Sequence, residues 1–363
     1  MSRATYAQIN LLALVQNLNL ARSTSQAKQM AIIKANAYGH GILPIARALQ
    51  QADAFGVATI EEAITLREGG IANRIVLLEG FQRKADLLLI HAYQLEAVVH
   101  HQHQVAMLEK ADHKPLTVWL KLDTGMHRLG FSREGFHAAY ERLMQCPKVN
   151  KPIHLMTHLA CADEPDSNKT QEQIRLFNEA CTHIQEGERS LANSAGILAW
   201  PQSHADWVRP GIMLYGVSPF EGKTGQENQL QPVMTLYSEI ISIHHYEKGD
   251  TIGYGATYQC EKNMTVAAVA IGYGDGYPRH APSGTPVLVN GQHCKLVGRV
   301  SMDMITIDVT ACAEVNIGDP VVLWGEGLPV ENIAQHAGTI GYELLCRVTP
   351  RVELRYSGDS IPS

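Results

Sequence analysis

From residue 28 to about 217 the chain alternates short continuous apolar runs with longer amphipathic stretches. The clear runs are AII (31–33), AFGVA (54–58), IVLL (75–78), AVV (97–99), LTVWL (116–120) and IHLM (153–156), and weaker ones precede Asn193 and Arg209. A continuous apolar run predicts a strand buried on both faces, as in a parallel sheet. Between the runs the period is helical. In TQEQIRLFNEACTHIQ (170–185), Ile174, Phe177, Cys181 and Ile184 recur every three or four residues and form one apolar face. Alternating strands and helices mean βα units. Six clear strands and two weak ones predict an eightfold barrel, and a doubly wound open sheet fits the same pattern.

The period changes after SPFEGKTGQENQLQP (218–232), a stretch of Gly, Pro and polar residues that reads as a linker. Beyond it, VLVNGQHCKLV joins two apolar runs through Asn290-Gly291, a strong hairpin signal. MITIDV and PVVLW are further strand-like runs, with turn residues such as Gly318-Asp319 between them. The second half therefore reads as a mainly antiparallel β domain.

With 363 residues, 45% hydrophobic and 18% charged, the chain has the composition of an ordinary globular protein of two domains. A net charge of −6 and the lack of any basic block argue against nucleic acid as a partner and favour a small molecule. The N-terminal stretch has no apolar segment of signal-peptide type, and no apolar run is long enough to span a membrane. A cytoplasmic location without membrane contact is the expectation. Seven cysteines without a CxxC pair are read as reduced and mostly buried.

In a barrel, residues just after the strands line the C-terminal mouth, where barrel enzymes hold their chemistry. Here these are Lys34, Glu79, Asp123 with Arg128, His158, Ser194 and Arg209. The commoner fate of a lysine is to reach solvent. A strand-end lysine in a barrel mouth can instead lose its proton and attack an aldehyde to form a Schiff base. Ser194 follows the weak seventh run and Pro210-Gly211-Ile212 follows the weak eighth. Loops at these places commonly cradle a phosphate. An imine-forming lysine beside a phosphate site points to pyridoxal 5'-phosphate.

The blocks KANAYGHG (34–41), KLDTGMHRLG (121–130), WVRPGIMLYG (207–216), IGYGATY (252–258), AIGYGDGYPR (270–279), VGRVSMDM (297–304) and GYELLCRV (341–348) resemble, in order, those of bacterial alanine racemases. The resemblance runs from about residue 5 to 355 and implies a fold of the α/β class. An N-terminal (β/α)8 TIM barrel would occupy residues 1–230, its first few residues pairing with the second domain. A mainly antiparallel β domain would occupy 231–363 and complete the active site of the other subunit of a homodimer. The implied activity is the interconversion of L-alanine and D-alanine by two bases, supplying D-alanine for peptidoglycan.

Racemisation needs acid–base groups on opposite faces of the substrate. The residues alone offer Tyr254 and Tyr273, each flanked by glycines, without choosing between them; the resemblance implies Tyr254 opposite Lys34. It further implies that Tyr38, Ser194, Gly211, Ile212 and Tyr342 contact the phosphate. His158 would lie beside the cofactor ring, and Arg209 would bond the ring nitrogen. Arg128 and the Met302 backbone would receive the substrate carboxylate, with Asp303 nearby and Tyr273 near the entrance. Lys121 matches a position that is often carbamylated.

Other readings remain: a broad-specificity racemase or an amino-acid decarboxylase on the same barrel, and a non-catalytic carrier of the cofactor, a class that resembles a barrel alone. The run His100-His101-x-His103 reads as a solvated loop before it reads as a metal site. GYGDGY lacks the full spacing of a nucleotide loop.

Overall fold

The computed structural model describes residues 4–112 and 114–358. Strand β1 (Tyr6–Asn10) precedes eight parallel strands: β2 (Lys28–Ile32), β3 (Ala54–Val57), β4 (Arg74–Leu77), β5 (Glu96–Val99), β6 (Val118–Lys121), β7 (His154–Met156), β8 (Arg189–Ser190) and β9 (Trp207–Val208). They close into a barrel, with Lys28 of β2 registered against Trp207 of β9. This is the eightfold barrel, and not the open sheet that the same pattern allowed. Strands β3 and β6 are buried at all four positions; β3 and the first three residues of β6 read as apolar runs, and β6 ends in the buried Lys121. The two weak runs are strands of only two residues each.

The first residues of the strands plug the N-terminal end of the barrel. Arg74 donates to both oxygens of Glu96 (2.6 and 3.1 Å), and the Trp119 indole donates to the same carboxylate (2.8 Å). Glu188 takes the ammonium of Lys28 and lies 3.4 Å from Arg74, whose guanidinium sits 4.9 Å from the centre of the Trp207 ring.

The helix expected over 170–185 runs from Lys169 to Ala180. Its last expected turn is replaced by tight turns, because the Arg189 side chain donates to the carbonyls of Cys181 (3.2 Å) and Ile184 (2.8 Å). Cys181 and Ile184 stay buried, so the apolar period outlasts the helix. Cysteines 146, 181, 260 and 294 are buried, Cys161 and Cys312 partly so, and Cys346 is exposed; all seven are free thiols.

The expected linker is docked. Ser218 N–H and Gly225 N–H both donate to Glu331 Oε1 (2.9 and 2.8 Å), and Gln231 N–H donates to the buried Asn17 side chain (2.9 Å). After it come β10 (Met234–Tyr246), β11 (Thr251–Ile252), β12 (Tyr258–Gln259), β13 (Met264–Val269), β14 (Pro286–Val289), β15 (Gln292–Leu296), β16 (Ile305–Asp308), β17 (Pro320–Trp324) and β18 (Glu353–Ser357). The long β10 pairs antiparallel with β1 and β17 through its first half and with β13 through its second. β1 also pairs in parallel with β18, so the chain's first described strand belongs to the second sheet.

Asn290 (φ 49°) and Gly291 (φ 76°) turn β14 into β15, with the two left-handed residues that a type I′ hairpin requires. The run His100-His101-x-His103 starts a helix: His101 Nδ1 accepts from His103 N–H (3.1 Å), and Gln104 reaches back to the His101 N–H. Among the described residues no cluster of His, Cys, Asp or Glu is arranged to hold a metal, and no helix is long and apolar enough to cross a membrane.

Candidate active site

A cavity of about 1140 Å³ opens at the C-terminal ends of the barrel strands. Ten of the residues singled out in the sequence line it: Lys34, Tyr38, Lys121, Arg128, His158, Ser194, Arg209, Gly211, Ile212 and Tyr342. Glu79 lines it as well. Asp123 does not reach the main cavity; its Oδ1 accepts from the backbone N–H groups of Gly125, Met126 and His127 and shapes the loop that presents Arg128.

Lys34 stands two residues beyond β2, where the backbone makes a left-handed turn. Ala35, Asn36, Ala37 and Tyr38 have φ of 53°, 52°, 54° and 51°. Each such residue costs roughly 1–2 kcal/mol when it is not glycine. Tyr38 leaves the turn buried, with its ring stacked on Tyr215 at 4.7 Å and tilted against Tyr342 at 6.2 Å.

Arg209 is 4% exposed and held entirely by neutral acceptors: Ser190 Oγ (2.6 Å), the carbonyls of Thr157 (2.7 Å) and Leu191 (3.0 Å), and His158 Nδ1 (3.2 Å). Burial lowers its pKa to about 10, which still leaves it charged at neutral pH. A guanidinium only donates, so the bond to His158 makes Nδ1 the acceptor and leaves the imidazole proton on Nε2. Burial, and then the charges of Arg209, Lys121, Arg128 and Lys34, hold His158 well below the usual histidine range. Burial and the charges of Arg209, Arg128 and Lys34 bring Lys121 down to about 8. Four cations, Lys34, Lys121, Arg128 and Arg209, thus act on one another within a cavity that Glu79, Asp163, Glu221 and Glu331 also line.

The phosphate-type residues meet at Gly211. A side chain there would bring its Cβ 3.1 Å from Tyr38 Oη and 3.8 Å from Ser194 Oγ, so the absence of one leaves room for an anion between two hydroxyls. Ser194 Oγ accepts from Gly211 N–H (2.9 Å). Ser194 opens a short helix capped by Asn193, whose Oδ1 takes the Gly196 N–H (3.0 Å). Hydroxyls and backbone N–H groups around Gly211, together with Tyr342, Arg209, His158 and Lys34 lining the same cavity, suit a phosphorylated aromatic aldehyde.

Tyr254 and Met302 lie outside this cavity. Tyr254 is 67% exposed, in a turn after β11 bounded by Gly253 (φ 76°) and Gly255 (φ 73°). Met302 is 53% exposed, and its carbonyl accepts from Gly274 N–H (2.9 Å). Tyr273, 40% exposed, heads the same turn, and Asp303 pairs with Arg351 (2.6 Å). A single chain therefore presents these residues outward from its β domain. The sequence reading missed Ser190, which grips Arg209 from a two-residue strand. It also assigned no role to Tyr215, although that residue stands in one of the quoted blocks.

The chain matches the family model for the alanine racemase N-terminal domain over residues 9–219 and that for the alanine racemase C-terminal domain over residues 233–356. It is 52% identical to the alanine racemase of Shewanella frigidimarina over 361 residues, covering 95% of this chain and 97% of that one. With that of Shewanella woodyi it shares 53% identity over 348 residues, at the same coverage. Its fold superposes on the biosynthetic alanine racemase of Pseudomonas aeruginosa with a TM-score of 0.95 at 43% identity, covering 98% of this chain and all of that one. The alanine racemase of Bartonella henselae with covalently bound pyridoxal phosphate aligns with a TM-score of 0.88 at 28% identity, over 98% of this chain and 99% of that one. The barrel with these cations at its mouth, the β domain joined to it and these full-length likenesses agree: the chain belongs to the alanine racemase family.

Proposed function

We propose that this chain interconverts L-alanine and D-alanine with pyridoxal 5'-phosphate as cofactor. The observation that carries the reading is the convergence of Lys34, Lys121, Arg128 and Arg209 on one cavity that also holds the Gly211 cradle. Lys34 would hold the cofactor covalently. Tyr38, Ser194, Tyr342 and the backbone of Gly211 and Ile212 would hold its phosphate, and Arg209 and His158 would flank its ring. When bound, the cofactor supplies the carbonyl that takes the substrate amine and the ring that makes the α-proton acidic.

Lys34 exchanges the α-proton on the face belonging to D-alanine, and Tyr254 exchanges it on the L face. The exposed position of Tyr254 and Met302 supports a homodimer in which the partner supplies both to the cavity. Arg128 and the Met302 backbone receive the carboxylate. Arg209 cannot realistically give up its proton, so a ring nitrogen held by it would stay unprotonated and the ring would withdraw electrons weakly. Side reactions are thereby limited, and Arg209→Glu would raise transamination. Lys121 carries a carbamate, which turns a cation beside Arg128 into an anion that orients it. The enzyme works in the cytoplasm and supplies D-alanine for peptidoglycan.

The test is α-proton exchange and optical inversion of L-alanine in deuterium oxide. The wild-type protein exchanges with inversion, Lys34→Ala abolishes both, and Tyr254→Phe is impaired from the L side. Bound cofactor without exchange would overturn the reading in favour of a carrier.

A further inference from the structure

The turn that carries Lys34 and Tyr38 is backbone that ought not to hold itself. Single left-handed residues are ordinary, but four in a row without glycine are not, and the strain accumulates along the turn. Bonds within the turn offset part of this: Ala37 N–H donates to Ile33 O (2.9 Å), Gly39 N–H to Ala35 O (3.0 Å) and Gly41 N–H to Asn36 O (3.0 Å). The Asn36 side chain accepts from Ile42 N–H (2.9 Å). The Ala37 carbonyl accepts from the His40 N–H (3.0 Å), and it and the Tyr38 carbonyl both face the His40 side chain. His40 Nδ1 lies 3.0 Å from the first and 2.9 Å from the second.

His40 is wholly buried, and among the described residues no group bonds its Nε2. With two carbonyls at Nδ1, the proton must sit there and the ring is neutral; burial lowers its pKa to about 4, in keeping with that. The imidazole also packs, tilted by 35°, against the Tyr215 ring. Tyr215 lies between Tyr38 (4.7 Å) and His40 (4.6 Å) as the middle of three rings, and its hydroxyl donates to Ile32 O at the end of β2 (3.0 Å). From the far end of the chain, Tyr356 Oη donates to the His40 carbonyl (2.9 Å). One residue thus joins the turn, the strand end beneath it and the last strand of the β domain.

We infer that His40 is a positioning residue: it clamps the left-handed turn Ala35–Tyr38 through Nδ1–H and so sets where Lys34 and Tyr38 stand in the cavity. The inference rests on the cofactor reading above and adds to it a residue that touches neither cofactor nor substrate. A histidine meets both demands of the place. Phenylalanine supplies a ring but cannot donate, and asparagine donates but supplies no ring.

The test measures the affinity of the apoprotein for pyridoxal phosphate and its urea unfolding midpoint, for His40→Phe, His40→Asn and each combined with Ala35→Gly. His40→Phe weakens cofactor binding by about tenfold, the scale of one or two lost hydrogen bonds and an unpaired carbonyl, and His40→Asn weakens it less. Ala35→Gly recovers about threefold or more of the loss in His40→Phe, since glycine takes a positive φ without the strain that the clamp opposes. Cofactor affinity of His40→Phe within twofold of wild type, or no recovery from Ala35→Gly, overturns the clamp. If His40→Phe yields no folded protein, Tyr356→Phe decides: a loss of affinity repaired by Ala35→Gly supports the clamp, and unchanged affinity overturns it. Neither readout uses substrate, so a wild-type protein that binds cofactor without racemising alanine would defeat the racemase reading and leave the clamp standing.

Discussion

Arg209 has four bonding partners and no acid among them, so its charge is spent on orientation and on raising the potential of the cavity. Lys121 feels the result. Burial, Arg209, Arg128 and Lys34 lower it to about 8, so a large share of the amine is neutral in mildly alkaline solution. A neutral amine adds CO2 to form a carbamate and release a proton, and the anion so formed is welcome among three cations. In bicarbonate-replete buffer near pH 8, native mass spectrometry should find one CO2 per chain, lost on mild acidification and absent in Lys121→Arg. A wild-type mass without the addition would leave Lys121 a bare ammonium. Lys34 was legible in the sequence because it ends an apolar run; Ser190 was not, because nothing local marks a serine that grips an arginine 19 residues away.

Elements set how closely the site residues approach one another. Ser194 opens one helix and Gly211 follows β9, and the cradle between them exists only because position 211 has no side chain. Its φ of −121° lies outside the left-handed region, so a substitution there acts chiefly by filling space. Gly211→Ala should weaken pyridoxal phosphate binding by about tenfold or more, measured by absorbance titration, while the apoprotein melts within a few degrees of wild type. The same scale shows why element boundaries were harder to read than element types. Strands β8 and β9 have two residues each, too few for a strong pattern, and the helix Lys169–Ala180 stops where Arg189 takes the carbonyls its next turn would need.

For the whole molecule, loss of stability in acid should begin with buried histidines, above the pH at which most carboxylates titrate. Burial lowers His40 to about 4 and also lowers His154 and His158. The unfolded chain binds these protons near pH 6.5 and the folded one does not, so protonation favours unfolding. The stabilisation is complete above about 6.5 and is lost as pH falls toward about 4, which differential scanning calorimetry should record as a falling Tm across that window. A flat Tm there would mean that these histidines are protonated within the fold. The proposed shared site predicts complementation: mixed Lys34→Ala and Tyr254→Phe subunits, refolded together, should regain about a quarter of wild-type activity, because half the dimers then carry one intact site. No recovery would place both residues in one subunit's site.

By itself the sequence determined the order and type of the elements. Strands buried on both faces are mostly apolar, amphipathic helices must repeat near 3.6 residues, and Asn290-Gly291 accepts the two positive φ values of its hairpin. These demands act between neighbours and leave local marks. The quoted blocks added the family and its site residues. Only the tertiary structure decided that the barrel closes, and closure is what brings residues 34, 121, 158, 194, 209 and 211 to one mouth. It also decided that β1 leaves the barrel for the second sheet, that the stretch from 218 to 232 docks on Glu331, and that Tyr254 faces outward. The depressed pKa of Lys121 and the neutral, clamping His40 arise in the same way, from burial among groups distant in sequence, which no local pattern encodes.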